Sequence, residues 1–239
     1  MFTTKIGVDG AATYLNGVFE TGWIPGEQKD LTSETLKKPV TVEYVAANQI
    51  KIVGLDWGNR IQKGTKIRYK QGGGWKYGVV FADVEFSTDS IISLTGGSDY
   101  EVANAEITDF YFSNIENPVG WPHWFNWAII FDGFSVSPTD NFARFSVSGN
   151  KVYIVLGSNV AGTSNANTLK SNLPISAANI TNAAWKSDTI TIDNNTPSRE
   201  TASILSGSNE IRFDKNYSST GWTASGSKRV TALTMFYEF

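Results

Sequence analysis

Side chains able to carry out acid–base or nucleophilic chemistry are scarce in this chain of 239 residues. His123 is the single histidine, and the absence of cysteine excludes thiolate nucleophiles, thiolate metal sites and disulfides. A Ser-His-Asp triad would need His123 as its base, yet no Gly-x-Ser-x-Gly turn is present to carry the serine. We therefore expect His123 to pack among the rings around it. The sequence predicts a protein that is not an enzyme and has no catalytic residues.

Two polar patterns could bind ligands but are better explained by turns. The glycine run at residues 72–74 lacks the Gly-Lys-Ser/Thr ending of a phosphate loop and precedes a strand pattern, so it predicts a turn. Asp188, Asp193, Asn194 and Asn195 offer oxygen atoms for calcium, although such residues are commoner in solvated turns. The sequence predicts no metal site and no cofactor.

Aromatic side chains carry the strongest chemical signal, since they make up 13% of the chain. A surface ring can stack on the apolar face of a pyranose sugar. Trp185, Tyr217 and Trp222 are the predicted ligand-binding rings, and polar and glycine residues surround the last two. Packing in a core or a subunit interface stays open as the alternative for each of them, because interfaces also favour such rings.

Charge and hydropathy exclude two classes of partner. The formal net charge is −3, with 11 basic and 15 acidic residues up to residue 120 and 9 and 8 after it. Neither half has the strongly basic field that nucleic-acid binding needs. No apolar run approaches the roughly 20 residues of a membrane helix. The first residues also lack the basic and apolar regions of a signal peptide. We expect a soluble protein made in the cytoplasm, with no nucleic-acid partner and no membrane insertion.

Residues 116–127 predict a rigid hinge between two β-rich halves. Two prolines in this segment remove backbone donors, so neither a helix nor a central strand can run through it. Its rings present too much apolar surface for a flexible linker. The segment should therefore pack against its own domains, a neighbouring copy or a ligand, and Trp121, Trp124 and Trp127 are predicted to lie at an oligomer interface.

The first half predicts a short leading segment and a small barrel. Residues 1–38 have no sustained periodicity and form either a flexible tail or an anchoring segment. Across residues 39–115, apolar residues alternate with polar ones in about five short stretches, and the glycines at 72–74 predict a hairpin. Short strands at this density predict an all-β domain of SH3-like or OB-like type.

The second half, residues 128–239, predicts a jelly-roll-like β-sandwich with about eight strands and no long helix. Tight turns are expected at residues 148–151 and 193–196, where glycine or asparagine interrupts the strand pattern. Residues 229–239 are expected to form one last strand. Because an exposed apolar edge would aggregate, this strand is predicted to be central or covered by another subunit. Its predicted interface residues are Met235, Phe236, Tyr237 and Phe239.

Several elements in fixed order resemble a module of structural proteins from tailed bacteriophages and prophages. The resemblance extends from about Gly22 to Trp127, and its parts are Gly22-Trp-Ile-Pro25, Gln62-Lys-Gly-Thr-Lys-Ile-Arg-Tyr-Lys-Gln-Gly-Gly-Gly-Trp-Lys-Tyr77, Leu94-Thr-Gly-Gly-Ser-Asp-Tyr100, Val102-Ala-Asn-Ala105 and Glu116-Asn-Pro-Val-Gly-Trp-Pro-His-Trp-Phe125. It implies a virion component, such as a tail fibre, a head fibre or a minor structural protein. The second half is similar to trimeric fibre-tip and head-fibre domains only in its β content and aromatic last strand.

The resemblance leads to the hypothesis of a short homotrimeric fibre or adhesin on the virion. Its partners would be other capsid or tail proteins and a host-surface glycan, contacted through the C-terminal domain. No heptad or Gly-x-y repeat predicts a long shaft. The alternative is a capsid decoration or head-fibre protein with a purely structural role. A glycan-degrading tailspike is the third hypothesis, because paired carboxylates are available in any β protein.

Overall fold

The computed structural model describes residues 21–29, 37–138, 142–157, 160–181, 184–215 and 221–239. These residues form an all-β structure built from antiparallel sheets, as the sequence predicts. The chain divides into two compact units. The N-terminal unit contains residues 1–96 and 100–123, and the C-terminal unit contains residues 97–99 and 124–239. The main division therefore falls inside the predicted hinge.

The described residues of the N-terminal unit form ten strands: β1 (Ile24–Pro25), β2 (Glu27–Lys29), β3 (Lys37–Pro39), β4 (Val42–Ala46), β5 (Gln49–Ile52), β6 (Lys66–Gln71), β7 (Gly74–Val80), β8 (Glu85–Phe86), β9 (Ser90–Thr95) and β10 (Thr108–Ser113). Eight of them form one sheet in the order β1-β10-β6-β7-β9-β5-β4, with β8 paired to β9. This path does not close on itself, so it is a half-barrel. The strands β2 and β3 pair separately.

The β6–β7 hairpin sets the two faces of this sheet. Gly72 and Gly73 form its turn with φ of 61° and 81°, a conformation that favours glycine. Ile67 and Tyr69 point into the half-barrel, where both are fully buried. Since neighbouring residues of a strand face opposite ways, Arg68 and Lys70 point to the outer face. The predicted hairpin is confirmed.

In the C-terminal unit, the described residues form a 3-10 turn at Gly97–Asp99 and eleven strands: β11 (Phe125–Asn126), β12 (Phe131–Asp132), β13 (Arg144–Ser148), β14 (Lys151–Leu156), β15 (Val160–Thr163), β16 (Lys170–Asn172), β17 (Ala184–Asp193), β18 (Thr196–Leu205), β19 (Glu210–Phe213), β20 (Ser227–Val230) and β21 (Leu233–Glu238). One sheet has the order β11-β13-β14-β21, and the other has the order β12-β16-β19-β18-β17-β20-β15. This arrangement of two antiparallel sheets is sandwich-like.

Both predicted turns of this unit are present. Gly149, with φ of 58°, lies in the tight turn between β13 and β14. Asn194 and Asn195 connect β17 to β18 with φ of 48° and 65°. Asparagine tolerates this left-handed conformation better than most residues, because its short polar side chain can bond locally. The turn residues thus define the register of the two longest strands.

The end of the chain differs from its prediction. Residues 229–239 are divided between two strands in different sheets, β20 and β21. The chain crosses from one sheet to the other near Thr231, whose backbone N–H donates to the carbonyl of Ile190 at 3.0 Å. The strand β21 is an edge strand and not a central one. Its own chain covers part of the free edge, since the carbonyls of Thr234 and Glu238 accept hydrogen bonds from Ser187 Oγ at 3.0 Å and Ala178 N at 2.7 Å.

Candidate interaction surfaces

The predicted ligand-binding rings do not form an exposed stacking surface in the described residues. Trp222 is only 4% exposed, and its indole Nε1–H donates to the carbonyl of Phe213 at 2.8 Å. Trp185 is half-buried and makes an edge-on contact with Tyr237, with 6.4 Å between ring centroids. Tyr217 lies outside the described residues. Two of the three rings therefore contribute to the packing of the C-terminal unit.

A cleft of about 550 Å³ lies beside Trp222. Its charged lining includes Lys170, Glu210, Arg212 and Lys215. Lys170 pairs with Glu210, and Lys215 pairs with Asp193 at 2.7 Å, so the positive charge of both lysines is largely balanced. The cleft is a polar depression with one tryptophan edge and not an aromatic platform.

Behind this cleft is a buried polar cluster built on Lys228 and Asp193. The side chain of Lys228 is fully buried, and its Nζ donates to the carbonyls of Gly133, Ala166 and Thr168, at 3.2 Å and 2.8 Å for the first and last. The same Nζ lies 5.4 Å from the ring of Trp222. Burial lowers the pKa of Lys228, and the nearby carboxylate of Asp193 opposes that shift. The cluster therefore links the backbone of these loops to β20, which gives it a structural role.

Asp193 is expected to stabilise the C-terminal unit in a pH-dependent way. Its carboxylate is buried and accepts hydrogen bonds from Lys215 Nζ at 2.7 Å and from Thr223 N and Oγ1 at 3.1 Å and 2.7 Å. Burial by itself raises the pKa of Asp193, but the bonds from Lys215 and Thr223 outweigh it and hold the pKa below its usual value. The stabilisation is therefore present above the unfolded pKa of about 3.9 and is lost as the pH falls through the folded pKa.

The substitution Asp193→Asn should lower the free energy of unfolding by about 1–3 kcal/mol at pH 7. The difference in free energy of unfolding between the variant and the unchanged protein should be smaller at pH 3. Urea unfolding at pH 7 and pH 3 measures this difference. Asp132→Asn is the matched control, because Asp132 is exposed and its pairing distance to Lys170 is 3.8 Å. An equal loss of stability at both pH values would contradict the electrostatic explanation.

Most of the predicted interface residues are buried in their own chain. Trp121, Trp127, Met235, Tyr237 and Phe239 are at most 7% exposed. Tyr237 also donates its hydroxyl to the carbonyl of Ile175 at 2.6 Å. The two remaining residues, Trp124 and Phe236, are 44% and 47% exposed. A second subunit could reach these two directly, while the other five fill the interior.

Phe236 belongs to an exposed aromatic pair that the sequence analysis did not identify. Tyr153 lies directly opposite it on β14, 37% exposed, and the two ring centroids are 5.9 Å apart. The Nζ of Lys151 lies 5.3 Å from the Phe236 ring. The neighbouring outward residues of the same sheet are mostly polar, among them Ser146 and Thr234, and Val155 is apolar. The alternating pattern of residues 151–156 places Tyr153 on the outer face of its strand. Its pairing with Phe236 could be recognised only once residues 233–238 were known to form the partner strand.

Other site classes gain no support within the described ranges. His123 is exposed, so the expectation that it packs among neighbouring rings is wrong. The described part of the chain contains no group of three or more His, Asp or Glu side chains that could hold a metal ion. In that same part, no helix is long and apolar enough to cross a membrane. Comparisons of the chain with protein-family models, curated proteins and solved structures find no match.

Proposed function

We propose that this chain is a structural protein of a bacteriophage virion, a short homotrimeric fibre or adhesin without enzymatic activity. The resemblance of residues from Gly22 to Trp127 to a phage structural module supports this proposal, and so does the all-β, two-unit organisation. In this proposal the half-barrel is an SH3-like or OB-like attachment domain. The two sheets of the C-terminal unit are a jelly-roll-like sandwich that faces the host surface and its glycans.

The exposed pair of Tyr153 and Phe236 carries the trimer part of the proposal. Large rings are costly to leave in water, and aromatic residues with a polar surround are typical of the centre of a subunit interface. Phe236 lies on the edge strand β21 and Tyr153 on the adjacent strand β14, so another chain could contact both rings on the outer face of this sheet. The residues on the inner face of β21 are already buried, so the contact would use its outer face.

Light scattering after size exclusion tests this contact. The unchanged protein should have about three times the mass of the 26.2 kDa chain. Phe236→Ser combined with Tyr153→Ser should give a folded monomer. Ile190→Ser is the control, because Ile190 is 46% exposed but lies on β17 in the other sheet. A monomeric unchanged protein, or a double variant that remains trimeric, would refute the proposed interface.

A capsid decoration or head-fibre protein without a receptor is the second candidate function. It is favoured by the burial of Trp222 and the half-burial of Trp185, which leave no exposed ring platform among the described residues of the predicted sugar site. Labelling of intact particles with an antibody should place the protein on the capsid in that case, with no binding to host envelope. Binding to envelope glycans supports the adhesin. Release of reducing ends from host polysaccharide would overturn both and restore the tailspike hypothesis.

A further inference from the structure

The outer face of the half-barrel carries a cation enclosed by rings. In the pairing of β10, β6 and β7, Arg68 lies between Tyr111 on one side and Tyr77 on the other. The Cζ atom of Arg68 is 4.6 Å from the ring centroid of Trp23, 4.8 Å from that of Trp75 and 4.6 Å from that of Tyr111. Three rings at this distance hold the guanidinium in one position.

The ring of Trp23 is itself fixed by the fold. Its indole Nε1–H donates to the carbonyl of Val119 at 2.8 Å, and its ring contacts that of Trp121 at 6.1 Å between centroids. Trp23 is 2% exposed, whereas Trp75 and Tyr111 are only half-buried. Arg68 is also half-buried and thus lies where the packed part of this face meets solvent. The Trp23 side of the enclosure is buried and hydrogen-bonded, and the Trp75 and Tyr111 side is partly exposed.

Arg68 differs from Lys66 and Lys70 on the same strand, because it has no acidic partner among the described residues. Lys70 pairs with Asp109 at 2.9 Å, and Glu116 acts electrostatically on Lys66. In the part of the chain that the structure describes, the guanidinium of Arg68 makes no hydrogen bond or ion pair, and its Nε is buried without an acceptor. Burial lowers the pKa of Arg68, and the neighbouring Tyr111 and Tyr77 oppose that shift.

Ring contacts alone do not satisfy this side chain. A guanidinium has five N–H donors, and aromatic faces attract its charge but do not replace oxygen acceptors. An arginine whose position is already fixed loses little conformational freedom when it binds a carboxylate or phosphate with two parallel hydrogen bonds. Half-exposed Trp75 and Tyr111 beside it offer surfaces for a sugar or polyol. An anionic carbohydrate could use both features, since its acidic group would bind the guanidinium and its carbon skeleton would contact the rings.

We propose that Arg68, Trp75 and Tyr111 form a binding site for a carbohydrate or polyol unit that carries a carboxylate or phosphate group. The guanidinium binds the anion, and the two half-exposed rings contact the carbon skeleton. The site lies on the N-terminal unit and is separate from the glycan contact proposed for the C-terminal unit. This proposal rests on the virion function only for where the natural ligand would be found. Binding itself can be measured with the purified protein.

Two charged probes distinguish the possible sources of the anion. Oligogalacturonate supplies carboxylates on sugar rings, and oligomeric glycerol phosphate supplies phosphates on a polyol; maltohexaose is the uncharged probe. Titration calorimetry with the full chain should show binding of at least one charged probe, weakening as salt is raised, and no binding of maltohexaose. Tighter binding of oligogalacturonate indicates that the ligand is an acidic polysaccharide. Tighter binding of oligomeric glycerol phosphate indicates a phosphate-linked polymer. Failure of both charged probes to bind would overturn the proposal.

Arg68→Lys tests the guanidinium while keeping the charge near the rings. Affinity for the bound probe should fall about tenfold or more, because an ammonium cannot form the paired hydrogen bonds. Arg60→Gln is the matched control, since Arg60 is exposed and lies 5.2 Å from a single ring, that of Trp57. It should change affinity less than about twofold. Trp75→Leu, with an unchanged melting temperature, should also weaken binding.

The outcome is separable from that of the trimer test. A monomer that binds a charged probe would refute the proposed trimer and leave this site in place. Full affinity in Arg68→Lys would overturn the site whatever the mass of the protein. Loss of the trimer in Arg68→Lys would likewise overturn it, because the guanidinium would then serve a contact between subunits.

Discussion

Removal of residues 235–239 should unfold the C-terminal unit and not simply separate subunits. This truncation deletes Met235, Tyr237 and Phe239, which are 5%, 0% and 3% exposed. Truncating each large buried side chain costs roughly 2–5 kcal/mol, and a whole domain is stable by only about 5–15 kcal/mol. The truncation also removes most of the pairing between β21 and β14. Near-UV circular dichroism and limited proteolysis should show loss of tertiary structure in residues 124–234.

The substitution Phe236→Ser is the matched control for the truncation. It changes the same strand but points outward, where the ring is 47% exposed, so the C-terminal unit should stay folded even where the subunits separate. If the truncated chain kept a cooperative unfolding transition for this unit, the inner face of β21 would not be part of its core. The comparison of the truncation with Phe236→Ser also matters for the trimer. Loss of the trimer after truncation would not locate the subunit interface, because the truncation also unfolds the unit.

Replacement of Lys228 should produce the second large effect. Lys228→Ala removes the ammonium donor from the carbonyls of Gly133, Ala166 and Thr168 and opens a cavity beside Trp222. Asn165 N and Ser164 Oγ still donate to the first two carbonyls, so Thr168 loses most. A buried carbonyl without a donor costs roughly 1–3 kcal/mol, and the cavity left by a large buried side chain costs roughly 2–5 kcal/mol, so the loss of stability should be about 3 kcal/mol or more. Urea unfolding of the unchanged protein and the variant measures this difference.

Two further variants separate the causes of that loss. Lys228→Met fills much of the space but donates no hydrogen bonds, so it should remain clearly destabilised if the carbonyls dominate. Lys186→Ala removes an exposed lysine from β17 and should change stability by less than about 0.5 kcal/mol. A Lys228→Met variant as stable as the unchanged protein would show that only the volume of the lysine matters.

Local rules accounted for the turns and for the class of the fold. Gly72 and Gly73, Gly149, and the pair Asn194 and Asn195 occupy turns with positive φ, a backbone preference that depends on a few adjacent residues. Alternation along β6 also separates Ile67 and Tyr69 from Arg68 without knowledge of any partner strand. The all-β class follows from many such stretches, each of which can be recognised by itself.

Tertiary structure decided which rings are exposed and which charges have partners. Trp222 has polar neighbours in sequence but is buried, whereas Tyr153 becomes half of a surface pair only when β14 lies beside β21. Lys228 finds its acceptors 60 to 95 residues earlier in the chain. Arg68 likewise meets Trp23 and Tyr111 through strand pairing across the sheet.

The physical reason is the range of the interactions. Amino-acid sequence by itself determined the local backbone: strands, tight turns and the two faces of each strand, because φ preferences and side-chain alternation act over a few residues. Pairing between distant strands decided burial, the position of β21 at a sheet edge, and the contacts of Arg68 and Lys228. Those outcomes depend on which apolar faces cover one another in the whole unit, and hydrophobic burial has no directional signal within a short stretch of sequence.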